Sequence, residues 1–209
     1  MATDFSPIYA LVRVHEKTAD RTACVAVLRP SGCTRLSLRL HSAEAMQPAD
    51  ERYALLLVKT ALWLQGGCGL VTEDEAVFRW LRAAYSPQGA RAFDRSFMSG
   101  VYGRPFSVML SRELPPACEA ASSVSAENRG CRVGIDLGGS DRKAAAVIDG
   151  ETVYTEEVLW QPKSACDLRY HYAHITAALR SAAKHLPRVD AVGFSTAGVV
   201  MDGEIRRSG

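Results

Sequence analysis

Between Val133 and Gly150 the chain reads VGIDLGGSDRKAAAVIDG: an apolar stretch, a tight glycine turn carrying an aspartate, and a second apolar stretch ending in Asp-Gly. These residue types suit phosphate chemistry. Successive turn amides can form an anion-binding concavity without any lysine. Glycines permit positive φ and close approach of a ligand, and a neighbouring carboxylate can hold a magnesium ion or its water shell. On this reading Asp136 ends a strand and binds Mg2+ indirectly, while Gly138 and Gly139 form the turn. Ser140 donates to a phosphoryl oxygen, and Lys143, on the next strand, faces either the phosphates or solvent. The competing reading is a β-hairpin turn with an incidental aspartate, and the bare pattern leaves both open. The turn lacks the GxxxxGK(S/T) of a P-loop and the GxGxxG of a dinucleotide site, and a second strand rather than a helix follows it.

The elements that must position this turn are legible around it. Residues 131–137, 143–149 and 153–160 read as three consecutive strands with glycine turns between them. A helix over 169–185 has Tyr172, Ile175, Leu179, Ala182 and Leu186 on one face, the spacing of an amphipathic helix. Pro187 ends it, and residues 189–195 form a fourth strand running into Thr196-Ala197-Gly198. The first three strands can pair as antiparallel neighbours, and the helix can carry the chain back to a further strand beside them. The expected class is α+β to α/β.

Ahead of this lies a different texture. Residues 8–14, 22–28 and 34–40 read as short strands, the last two with period-two apolar residues that suit hairpins with one buried face. A packing helix follows over 49–65, with Asp50 and Glu51 in its first turn, where carboxylates favour free amides. Thr72 is expected to cap a helix beginning Glu73-Asp74-Glu75, a shorter helix spans 90–102, and a strand spans 105–110. The prolines and small residues of 115–130 mark a linker or exposed connection. The expected organisation is therefore a mixed α+β domain over 1–114, the connection over 115–130, and the phosphate-turn domain over 131–209.

Composition narrows the function classes. The 209 residues are 47% hydrophobic, ample for a core, and 25 basic residues nearly balance 23 acidic ones. No basic tail or stripe supports nucleic-acid binding. Six cysteines lie far apart with no CxxC pair, and the first residues lack a leader pattern. The expectation is a reduced, cytoplasmic protein with free thiols and no membrane span.

The string DLGGSDRK, with GIDLGG over 134–139, resembles the first phosphate motif of the ROK sugar kinases, members of the actin-like ATPase superfamily. The segment VDAVGFSTAGVVMDGEI over 189–205 resembles the ROK stretch in which a strand meets a glycine-proline-glycine turn and then Asp-Gly. The resemblance covers residues 131–209 and implies the N-terminal lobe of a ribonuclease-H-like fold that encloses Mg2+-ATP and a small carbohydrate, as substrate or as effector. It implies Asp136, Gly138, Gly139 and Ser140 as the phosphate turn, with Lys143 beside it, and Gly193, Ser195, Thr196, Ala197 and Gly198 as a loop near the sugar. Ser140 stands where threonine is usual, and Ala197 where proline is common. The family's aspartate base, zinc ligands and adenosine motifs come later, with no counterpart after Val200. The 209-residue chain alone is therefore expected not to phosphorylate sugar efficiently. Two other functions are consistent with the same residues. One is a sugar-sensing transcriptional regulator. The other is a non-catalytic assembly fragment, dimerising through apolar helix faces.

Smaller signals remain. Arg91 and Arg95, with Asp94, could form an anion-binding rim or simply surface ion pairs. His171 and His174, at i and i+3, lack a third metal ligand, and Cys131 and Cys166 have no partnered histidine.

Overall fold

The computed structural model of the protein describes residues 7–118 and 129–207. The chain is a mixed α/β protein that divides into two compact units, Met1–Ser122 and Ser123–Gly209.

The first unit runs α1 (Ile8–Thr18), β1 (Arg21–Arg29), β2 (Gly32–Leu40), a 3-10 turn (Glu44–Met46), α2 (Gln47–Gln65), β3 (Gly69–Thr72), α3 (Glu75–Ala84), α4 (Ala92–Tyr102) and β4 (Ser107–Leu110). Its sheet has the order β2-β1-β3-β4, with β1 antiparallel to both neighbours and β4 parallel to β3. Val25, Val27, Leu38 and Leu40 meet Val58 and Leu62 of α2 and Val77 and Leu81 of α3 in the main core. Ala26, Cys33 and Val71 face the other way and form a smaller cluster with Leu28 and Leu114. The central strand β1 is therefore buried on both faces, not on one as the alternation suggested, which is why its middle is apolar without interruption.

Three local expectations change. Residues 8–14 are helical, because Ile8, Leu11, Val12 and His15 also repeat at helical spacing, and a short apolar run does not distinguish the two periods. Tertiary contacts decide it: Val12 joins the core, and His15, Glu16 and Thr18 bond to β2, α2 and the residue beyond β2. Residues 69–72 add a strand within a segment that reads as a glycine-rich connection. Thr72 belongs to that strand. Its hydroxyl donates to the Cys24 carbonyl at 2.8 Å, and the α3 cap is Asp74, whose Oδ1 accepts the Val77 amide at 2.9 Å. Asp74 also meets Arg21 at 2.5 Å. Asp74→Ala is expected to cost about 1 kcal/mol for the cap and up to about 1 kcal/mol more for the half-exposed ion pair. Asp74→Asn should keep most of the cap contribution, and denaturant melts of the two variants check the split.

The start of the expected connection is tied to β2: the Arg35 guanidinium donates to the carbonyls of Leu114 and Pro115, and the backbones of Cys118 and Cys33 exchange two hydrogen bonds of 2.9 Å, both thiols remaining free. The rest of that connection, 119–128, lies outside the described residues. No helix of the described residues is long and apolar enough to cross a membrane.

The second unit runs β5 (Cys131–Leu137), β6 (Asp141–Ile148), β7 (Glu151–Leu159), α5 (Leu168–Ala183), β8 (Ala191–Thr196), β9 (Val199–Met201) and β10 (Glu204–Arg207). The sheet order is β7-β6-β5-β8, antiparallel through β7, β6 and β5, with β8 parallel to β5. Asp149-Gly150 and Asp202-Gly203 have positive φ at both residues, the requirement of a two-residue turn whose twist matches its strands. Asp167 caps α5 by accepting the Arg169 amide. Ala178 and Ala182 set α5 against Val133, Ile135, Ala144 and Ala146. Small residues on both sides allow the close approach.

Candidate functional site

Val133 and Ile135 point to α5, so by strand alternation Gly134 and Asp136 point to the opposite face of the sheet. Two rows cross that face in register. Thr155, Ala145, Gly134 and Gly193 make a small-residue floor, and Glu157, Lys143, Asp136 and Ser195 make a polar row. Together these eight residues line an open concavity of about 630 Å³. A Cβ at Gly134 or Gly193 would meet nothing within 4 Å, so the glycines widen the floor.

The polar row has a definite charge pattern. Ser195 Oγ donates to Asp136 Oδ1 at 2.5 Å across the two parallel strands. Lys143 Nζ contacts Asp141 Oδ1 at 2.6 Å and Glu157 at 3.9 Å, and the Asp141 hydrogen bond, before other effects, holds the ammonium above its ordinary pKa. Lys143 thus spends its charge on carboxylates within its own strand and its neighbour. Asp136, Asp141 and Glu157 outnumber it, so the row suits a cation, or a phosphate bridged by one, better than a bare phosphate.

The turn itself is held differently from expectation. Neither Gly138 nor Gly139 has positive φ. Gly138 is required by crowding instead, since a Cβ there would lie 2.7 Å from the Asp141 carbonyl oxygen. The Trp160 indole N–H donates to the Gly138 and Asp141 carbonyls at 2.9 and 3.1 Å, and the Trp160 amide donates to the Ser140 carbonyl at 3.1 Å. Ser140 Oγ is 3.4 Å from Asp141 Oδ2. Gly139 and Ser140 border a second, smaller concavity of about 360 Å³, shared with Trp160, Gln161, Lys163 and Ser164.

The structure therefore brings Asp136, Lys143, Gly193 and Ser195 into one concavity and sets Gly139 and Ser140 in another. Thr196 ends β8 opposite Leu137, and Ala197 and Gly198 form the turn into β9, outside both linings. Glu157, Thr155 and Lys163 were not singled out from the sequence. For Glu157 and Thr155 the signal was the period-two pattern of β7, which places both on the face of Lys143 and Ala145.

Beneath the same sheet lies a polar network that no motif announced. Arg142 meets Glu156 Oε1 at 2.7 Å, while Tyr154 and Ser181 donate to Oε2 at 3.0 and 2.9 Å. Burial pushes the Glu156 carboxyl up, but the hydrogen bonds from Arg142, Ser181 and Tyr154 outweigh it and leave its pKa below the ordinary value.

Elsewhere, Asp94 is buried and accepts the Trp63 indole N–H at 2.7 Å, with Arg91 Nε 4.0 Å from its other oxygen. It anchors α4 to α2 rather than ordering an anion rim. His171 and His174 pack around Tyr170 and Trp160. A different group, His15, His41 and Asp50, brings three ligand atoms within 4.8 Å of one another and could hold a divalent cation. It was missed because its members are distant in sequence, and Asp50 read as an ordinary helix-start carboxylate.

No protein-family model matches the chain, and no curated protein matches it.

Proposed function

We propose that the second unit is a magnesium-nucleotide half-site of the kind found in the N-terminal lobe of ROK-like, actin-type ATPases. On this reading the chain contributes part of an ATP-dependent carbohydrate kinase fold. The observation that carries the proposal is the Asp136–Ser195 pair. A strand-end carboxylate beside the glycine turn meets a hydroxyl from the second motif, 59 residues further on. Three antiparallel strands, a crossover helix and a parallel fourth strand are the arrangement that a ribonuclease-H-like lobe uses to bring two such motifs together. The acidic excess of the polar row favours Mg2+ as the bridge to phosphate oxygens, which hard oxygen ligands and water suit.

Asp136 would hold the ion through its water shell, and Ser195 would orient the carboxylate. The turn at Gly138–Ser140 would lie along the phosphates, with Lys163 as a nearby ammonium. A sugar hydroxyl would meet the γ-phosphoryl group only where a general base and the adenosine contacts are also supplied, since phosphoryl transfer depends on positioning from both sides. The 209-residue chain is accordingly expected to bind Mg2+-ATP weakly and to leave hexoses unphosphorylated.

Calorimetric titration of the full chain with ATP, with and without Mg2+, tests the reading. Binding should require Mg2+ and fall about tenfold or more in Asp136→Asn, the order expected for losing one charged contact. Asp136 is exposed, so the variant should fold. ATP affinity that is indifferent to Mg2+ and to Asp136→Asn would overturn the proposal.

A further inference from the structure

In the first unit, three elements bring one side chain each to a single point. His15 comes from the last turn of α1, His41 follows β2, and Asp50 lies in the first turn of α2. Asp50 has no solvent exposure, and the His15 and His41 side chains have 10% and 6%. Asp50 Oδ1 lies 2.7 Å from His41 Nδ1 and 3.3 Å from His15 Nε2, while Oδ2 accepts the His41 amide at 2.9 Å.

Further contacts tie the cluster together. Thr18 Oγ1 lies 3.2 Å from the His15 carbonyl, to which it donates, and 2.9 Å from His41 Nε2. His41 Nδ1 faces Asp50 Oδ1, and His15 Nε2 faces both Asp50 Oδ1 and the Arg39 carbonyl, the latter at 2.9 Å. Two imidazole nitrogens thus converge on one buried carboxylate oxygen.

We propose that His15, His41 and Asp50 form a zinc-type divalent metal site that clasps α1 to the end of β2 and the start of α2. Bonds of about 2.0–2.2 Å to a tetrahedral ion set ligand atoms about 3.3 Å apart. The His15–Asp50 separation already matches, the His41–Asp50 separation must open by about 0.6 Å, and the three ligand atoms, now within 4.8 Å of one another, must draw in to that spacing. Two imidazoles and one carboxylate favour zinc-class ions over Mg2+ or Ca2+. The outer contacts have the form that orients ligating histidines. Thr18 Oγ1 meets the far nitrogen of the His41 ring, and Tyr53 stacks on the His15 ring at 4.1 Å between centroids. Burial makes the site structural, and α1 needs it, because that helix contributes no fully buried residue of its own.

The test uses the full chain, stripped with chelator, titrated with Co2+ and then competed with Zn2+. The expected result is one bound equivalent with visible d–d absorption and no thiolate charge-transfer band, which separates this site from the free cysteines. Zn2+ should raise the melting temperature, as a ligand of the native state does, and slow hydrogen exchange in α1. Thr18→Val, which leaves the ligands in place, should weaken binding about tenfold. His15→Ala, whose side chain is at the rim, should weaken it further while circular dichroism shows a folded chain. Failure of the folded chain to bind either ion saturably would overturn the site. Binding unchanged in His15→Ala, or binding with a thiolate signature, would overturn it equally.

Discussion

Glu156→Ala is expected to destabilise the second unit by about 3–5 kcal/mol, the cost of leaving a buried charge without its partner. The Arg142 side chain is 6% exposed, and its Nε already lacks a hydrogen-bond partner. Removing Glu156 leaves the guanidinium without its carboxylate and takes an acceptor from the Tyr154 and Ser181 hydroxyls, which keep only their mutual bond at 2.9 Å. Glu156→Gln keeps an oxygen for these donors and should cost less. Replacing both members, Arg142→Met with Glu156→Leu, should recover much of the loss, because an apolar pair of similar volume carries no desolvation penalty. Denaturant unfolding of the full chain, followed through Trp160 and through hydrogen exchange in β5–β7, measures each step.

The same residue sets an acid limb. Its folded-state pKa lies below the unfolded value because the three hydrogen bonds outweigh burial. The ionised carboxylate therefore contributes fully above the unfolded glutamate pKa of about 4.3, and that contribution is lost as pH falls through the lower, folded value. Between pH 7 and about pH 5.5 this group should give no slope. Stability should fall on further acidification, and Glu156→Gln should flatten that limb.

Leu81→Ala is the second large effect, expected to cost about 2–5 kcal/mol in the first unit. Leu81 is fully buried on α3, in the core cluster that holds Val77, Leu62 and Leu70. Helix α3 is fixed at its start by the Asp74 cap and packs against α2 and against β3 and β4, so the space left by three carbons closes only in part. Leu81→Met keeps the volume and should cost less than about 1.5 kcal/mol. Leu64→Ala supplies the control: Leu64 lies on neighbouring α2 but is 79% exposed, so its change should stay within about 0.5 kcal/mol. Urea midpoints of the three variants should rank in that order. Equal losses at Leu81 and Leu64 would refute the assigned core.

Where sequence and structure coincide, the information was local. The bounds of β5 agree to the residue, and Leu179, Ala182 and Leu186 of the expected helical stripe pack with the sheet, whereas Tyr172 is 74% exposed and Ala178, outside that stripe, is buried. Asp149-Gly150 turns the chain in the two-residue form that positive φ at both positions requires. Asp136, Gly193 and Ser195 were legible as residue types, but their meeting was not. It depends on β8 pairing parallel to β5, a contact between segments about sixty residues apart, whose register decides that Asp136 faces Ser195 rather than Phe194.

The failures have the opposite cause. Residues 8–14 carry a pattern that fits either period, and contacts at the far end of the segment select the helix. The αL freedom expected at Gly138 gave way to a steric need, because Trp160, about twenty residues on, draws the turn closed. Asp50 read as a helix-start acid, yet two histidines surround it, one from the preceding helix and one from just beyond a strand. By itself the sequence determined the mixed α/β class, most elements, both Asp-Gly turns and the chemical types in the phosphate turn, because each follows from neighbours along the chain. Only the tertiary structure decided the Asp136–Ser195 pair, the Arg142–Glu156 network and the His15–His41–Asp50 cluster, because a charge or a ligand acquires its role from what packs against it.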